Sequence, residues 1–240
     1  MTGILAPVTE VFEPPFNTAG SALTKADEAA EAIQAAIISG EFAPGEKLGE
    51  AELCSRLGAK RGPIREALSR LESRGLVVRR PNAGFNVVSI GADELLDLYR
   101  IREVLEGLAA RQAAVAMNLS GRQQLFDILE RHEKAIHLSQ GTRYDQGEGI
   151  DDFHYLIVKG AQNPRLEQML LGSLYHLLRM YRRRLSSSSG RPQRGLTEHR
   201  HIAEAINGGD GELAEYLIRR HLNAARRDIE AKIASGEIKL

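Results

Sequence analysis

Three histidines stand at spacings that support metal chemistry. His154 lies in DDFHYLI one turn after Asp151, so on a helix both side chains project from one face. His199 lies in TEHRHIAEAI, where Ala203 and Ile206 follow on its face and turn it inward. His221 lies in IRRHLNAAR, with Leu217 and Ala225 one turn to either side. Imidazole is the commonest side-chain metal ligand, and a helical bundle offers inward positions on several helices. Asp151, His154, His199 and His221 therefore form a candidate set for one divalent cation, with zinc, nickel and manganese all compatible. A lone helical histidine is usually a core or surface group, and the shared inward direction sets these three apart. His201 is rotated by about 200° from His199, at about 100° per residue, and falls off that face.

A second chemistry is written in residues 48–75, LGEAELCSRLGAKRGPIREALSRLESRG. Ala51, Leu53 and Leu57 fit a short helix ended by Gly58, a residue that tolerates a left-handed cap. After a tight turn, Ile64, Ala67, Leu68 and Leu71 recur at helical spacing and line one buried face. The other face carries Lys60, Arg61, Arg65 and Ser69, with Arg70 nearby. A helix whose apolar stripe is pinned and whose start is cationic has the layout that enters a DNA major groove. An ordinary hairpin with a solvated basic face would give the same charge run, so the flanking chain must decide. Residues 76–80 and 84–88 read as two short strands around Pro81-Asn82-Ala83-Gly84, a β-hairpin wing offering Arg79, Arg80 and Asn82 to phosphates or the minor groove. Upstream, KADEAAEAIQAAIISG reads as a helix capped by Thr24 and ended by Gly40, followed by a turn at Pro44-Gly45.

From Ala92 onward the strand signals stop. Six helical segments are expected, at roughly 92–117, 120–139, 147–162, 165–185, 194–208 and 211–235. Asn163-Pro164 marks a helix boundary, and Arg182-Arg183-Arg184 reads as a solvated helix end. The fold class that follows is mainly α: an N-terminal winged helix-turn-helix with a small β-hairpin, then an all-α bundle. The expected division is a loose arm over 1–20, a winged helix over 21–90 and a bundle over 91–240.

At 240 residues the chain has room for two modest domains, each with its own core. The formal net charge is zero, but its distribution is uneven. Residues 21–52 hold Lys25 and Lys47 against Asp27, Glu28, Glu31, Glu41, Glu46, Glu50 and Glu52. Residues 53–80 hold Arg56, Lys60, Arg61, Arg65, Arg70, Arg74, Arg79 and Arg80 against Glu66 and Glu72. A neutral protein with one DNA-facing surface shows this asymmetry. Cys54 is the single cysteine, which excludes an intramolecular disulfide framework and suits a reducing cytoplasm. No apolar run reaches bilayer length, so no membrane partner is expected, and the N-terminus does not read as a signal peptide.

GEFAPGEKL, ELCSRLGAKRGPIREALSRLESRGLV and the glycine-containing wing together resemble the N-terminal domain of GntR-family bacterial transcription regulators. The resemblance implies DNA contacts from Arg61 and Arg65, with Lys60, Gly62 and the wing around Gly84 beside them. Members often carry Ser or Thr where this chain has Lys60, and some carry an arginine where it has Ala51. LYRIREVLEGLAARQAA, DDFHYLIVKGAQNPRL, EHRHIAEAINGGD and AEYLIRRHL resemble the signature segments of the FCD-type effector domain in the FadR branch. That likeness implies a divalent metal held by an acid and three histidines beside a pocket for a small carboxylate. The histidines map onto His154, His199 and His221. The acid usually stands four residues before the first histidine, where this chain has Ile150, and Asp151 is its expected substitute. Arg102 matches the arginine of an R-x-x-[apolar]-E segment and suits a carboxylate fork; an intrahelical pair with Glu106 competes for it.

The expected function is a non-enzymatic, ligand-responsive regulator, a homodimer on a double-stranded operator that responds to a small organic acid. Two alternatives use the same histidines: a metal-dependent hydrolase-like site, or a cation that only staples helices. Against the hydrolase, no HExxH, GxSxG or phosphate loop is present.

Overall fold

The computed structural model describes residues 23–139, 147, 149–185 and 191–237, so the arm expected over 1–20 lies outside the described residues. The chain opens on α1 (Lys25–Ser39), where Thr24 forms a capping box: its hydroxyl accepts from the Asp27 N–H at 3.1 Å, and its own N–H donates to the Asp27 carboxylate at 2.9 Å. β1 (Lys47–Leu48), α2 (Glu50–Leu57), α3 (Arg61–Ser73), β2 (Val77–Arg80) and β3 (Gly84–Val87) follow. Ile33 and Ile37 of α1 bury against Leu53 of α2 and Ile64, Leu68 and Leu71 of α3, the stripe that the helical spacing predicts. The strands form an antiparallel sheet in the order β1-β3-β2, with Val77 opposite Val87 and Arg80 opposite Gly84. Sequence periodicity gave no sign of β1. Two residues are too few to display an alternation, and their pairing with Asn86 and Phe85 is a tertiary contact.

The remainder is helical, as expected, but with seven α-helices among the described residues where six segments were expected. They are α4 (Ala92–Ala116), α5 (Leu119–Leu138), α6 (Phe153–Gly160), α7 (Pro164–Leu170), α8 (Ser173–Leu185), α9 (Arg191–Asn207) and α10 (Gly211–Ala234). The segment expected over 165–185 breaks at Leu171-Gly172, where glycine weakens helix continuity. Asn163 caps α7 by accepting from the Arg165 N–H at 3.1 Å. α9 starts three residues earlier than the 194 expected, because Pro192 sits in the first turn, where its missing N–H costs nothing. The segment expected from 147 becomes a short 3-10 turn (Gly149–Asp151), and α6 begins only after Asp152 caps it.

Two apolar cores result. One fills the bundle from α4, α5, α6, α7, α9 and α10. The other is the winged helix core, which extends beyond residue 90 to include Leu95 and Tyr99 of α4 and Leu178, Met180 and Tyr181 of α8. Leu174 of α8 touches both. Two close approaches seat α8 on the winged helix. Gly75 has a φ of 70°, and a Cβ there would stand 2.8 Å from the Ser173 Cβ. The buried Tyr181 hydroxyl accepts from the Ile90 N–H at 2.9 Å.

Candidate nucleic-acid interface and metal centre

α3 buries Ile64, Ala67, Leu68 and Leu71 and turns Lys60, Arg61, Gly62 and Arg65 to solvent at its N-terminal end. The wing presents Arg79, Arg80, Asn82 and Gly84, all exposed. Asn82 (φ 59°) and Gly84 (φ 84°) both adopt the left-handed backbone that closes the hairpin, a conformation these two residue types tolerate best. The Arg79 guanidinium lies 5.8 Å from the centre of the Phe85 ring. All eight expected DNA contacts therefore lie on solvent-facing parts of the helix start and the wing. The cations of α3 differ in their surroundings. Arg70 is tied to Asp27 of α1 and to Glu66, which makes it a brace between helices. Arg65 donates from Nε to both carboxylate oxygens of Glu50, at 3.0 and 2.9 Å.

In the bundle, His154 of α6, His199 of α9 and His221 of α10 are buried, and one ligand nitrogen from each lies within 4.8 Å of the others. The Nε2 atoms of His199 and His221 are 3.2 Å apart. Two nitrogens sharing a tetrahedral zinc at about 2.0–2.1 Å are separated by roughly 3.4 Å, so the pair is close to ligand spacing. The far nitrogens are also held. His154 Nδ1 lies 2.6 Å from Glu106, and His221 Nδ1 lies 2.6 Å from Glu198, which is itself paired with Arg191 at 3.0 Å. A carboxylate on Nδ1 fixes the proton there and turns the Nε2 lone pair inward, as in the outer shell of metal-binding histidines. The His199 ring stacks on Phe153 with centroids 4.3 Å apart. Burial lowers the pKa of all three imidazoles, His221 to about 4, so at neutral pH each is uncharged and able to ligate.

Asp151 does not join them. It belongs to the 3-10 turn ahead of α6, so the helical register that placed it on the face of His154 does not reach it. Its exposed carboxylate accepts from Arg131 at 2.7 Å. The expected acid ligand is corrected accordingly: the structure brings three histidines together, and the carboxylates beside them serve their far nitrogens. Glu198 gave no warning in sequence, because it is adjacent to His199 in the chain yet reaches a different histidine on another helix.

A small, partly open cleft lies beside His154. Arg102, Glu106, Arg179 and Arg182 supply its charge, and Val158, Leu170, Leu171, Leu178, Tyr155 and Tyr175 supply its apolar wall. Arg102 pairs with Glu106 inside it, so the intrahelical bond is formed while the guanidinium still faces the cavity. Burial alone would raise the Glu106 carboxyl, but Arg102 and His154 outweigh it and hold the group ionised. Arg182 was expected at a solvated helix end. It is instead largely buried against Asp152, the cap of α6; the side chains of Arg183 and Arg184 lie outside the described residues.

Two family descriptions match the chain. Residues 25–87 match the description "Bacterial regulatory proteins, gntR family", and residues 97–224 match the FCD domain. The chain is 32% identical over 190 residues to the HTH-type transcriptional regulator YdhC of Bacillus subtilis, covering 78% of this chain and 83% of that one. It is likewise 32% identical over 198 residues to the HTH-type transcriptional repressor GlaR of Escherichia coli, covering 78% and 87%. Among solved structures, E. coli McbR/YncC superposes with a TM-score of 0.71 at 18% identity, over 88% of this chain and 100% of that one, a likeness of fold.

Proposed function

The chain belongs to the GntR family of bacterial regulatory proteins, as a DNA-binding transcriptional regulator with an FCD domain, and we propose that its bundle senses a small organic acid through the three-histidine site. The observation that carries this reading is the juxtaposition of His154, His199 and His221 with a cleft beside His154 that is lined by three guanidinium groups. A bound divalent ion would supply open coordination positions to a carboxylate. Arg102 and its neighbours would orient the acid, and the apolar wall would exclude water from it. Glu106 and Glu198 would hold the imidazoles in the ligating tautomer.

The functional DNA contacts in this reading are Lys60, Arg61, Gly62 and Arg65 on α3, with Arg79, Arg80, Asn82 and Gly84 on the wing. Lys60 and Arg61 suit phosphates, and Arg65 suits a base edge. The working form would be a homodimer on a two-fold operator in the cytoplasm. An exposed apolar stripe on α4, comprising Ile101, Val104, Leu108 and Val115, supports that assignment, with exposed Leu213 and Tyr216 on the neighbouring α10. Sensing would reach DNA through α8, which contributes Tyr175, Arg179 and Arg182 to the cavity and Leu178, Met180 and Tyr181 to the winged helix core.

Two steps test this. Selection from a randomised duplex pool should recover a two-fold symmetric site. Affinity for that site should then change several-fold when zinc or manganese and a panel of di- and tricarboxylates are added. An affinity indifferent to every metal and acid in the panel would remove the sensing half and leave the DNA-binding half standing.

A further inference from the structure

Two cations at the start of α3 carry no ion pair among the described residues, whereas the third is gripped. No described carboxylate pairs with Lys60 or Arg61, while Arg65 shares its Nε–H between the two oxygens of Glu50. Glu50 stands in the first turn of α2, a different helix, so the pair sets the direction of the arginine relative to the whole motif. Its side chain is 28% exposed, against 68% for Arg65, so the carboxylate is the anchored partner and the guanidinium the presented one.

We propose that Glu50 is a specificity-determining positioning residue for DNA recognition. The proposal rests on the reading of Arg65 as a base contact. Binding through Nε leaves both terminal amino groups for a second acceptor, and these can grip the O6 and N7 edge of a guanine as a planar fork. The arginine is held in one direction before DNA arrives, so less side-chain freedom is lost on binding. The carboxylate also acts negatively. A glutamate next to the backbone repels phosphates and competes with them for Arg65, so non-cognate DNA gains little from this residue. An exposed ion pair between two helices contributes little to stability, which leaves its effect on DNA as the reason to place an acid at the front of a basic surface.

The test uses the full chain and compares the best duplex recovered from a randomised pool with a random-sequence duplex, for wild type, Glu50→Gln, Glu50→Ala and Arg65→Ala. Both Glu50 variants should lower the ratio of the two affinities by about tenfold, mainly by binding random DNA more tightly. The logarithmic salt slope on random DNA should steepen by about 0.9, the signature of one added phosphate contact. Glu50→Gln keeps the shape of the side chain, and matching thermal melts would show that folding is intact. An unchanged ratio and slope in both Glu50 variants, with a changed base preference in Arg65→Ala, would overturn the role of Glu50 alone. Wild-type base preferences in Arg65→Ala would overturn the base contact itself, and the proposal with it.

Discussion

For single residues, the three-histidine cluster is defined by its protonation states. His154, His199 and His221 are held neutral chiefly by burial, while Glu106 and Asp152 stay ionised because Arg102 and Arg182 outweigh the cost of burying them. Linkage then fixes the sign of the pH dependence. A histidine with a lowered folded pKa gives full stability above its unfolded value near 6.5, and the stability is lost as protons bind only the unfolded chain. For metal-free protein, urea midpoints should therefore be flat above about pH 7 and fall between about pH 6.5 and 4. His221, lowered from 6.5 to about 4, contributes to that loss across this window. The two carboxylates, whose pKa values are lowered, add a further loss only below about pH 4. A midpoint that is flat down to pH 5 would show that the imidazoles are not held neutral. The three histidines were legible in sequence because each sits on a helix with apolar neighbours one turn away. The acid was not, because its assignment assumed that α6 extends back through Asp151, and the buried Asp152 cap stops it there.

At the scale of elements, α8 is the piece that sequence described least well. Periodicity merged it with α7, and its run of arginines read as a solvated end. In the structure, Arg182 is turned inward by the Asp152 carboxylate, a partner thirty residues away that no local pattern reveals. By contrast, α3 was legible throughout, since its apolar stripe repeats over the whole helix whatever element covers it. The junction between α8 and the winged helix rests on Gly75 and Tyr181. Gly75→Ala forces a left-handed backbone on a residue with a Cβ and drives that atom towards Ser173. Chemical denaturation should show a loss of about 2 kcal/mol. It should also weaken the effect of any bundle ligand on DNA affinity, and an unchanged stability would mean that the two helices are not pressed together at this point.

In the whole molecule, a winged helix-turn-helix is joined to a helical bundle whose outer face still carries apolar side chains. If the proposed homodimer forms through this face, replacing Val104 and Leu108 by aspartate should give monomer by light scattering and weaken operator binding by at least about tenfold, since a two-fold site then loses one half. A double variant of unchanged mass would move the dimer contact elsewhere. In the proposed function, the bundle would hold one cation with three histidines and no carboxylate ligand. Its most direct test is the metal content per chain, by elemental mass spectrometry on tag-free wild type and on His199→Ala, each reloaded with zinc, nickel or manganese and then desalted. A single three-histidine site should give about one divalent ion per wild-type chain and close to none in the variant. Wild type that stays empty after reloading, or a variant that retains the ion, would contradict it.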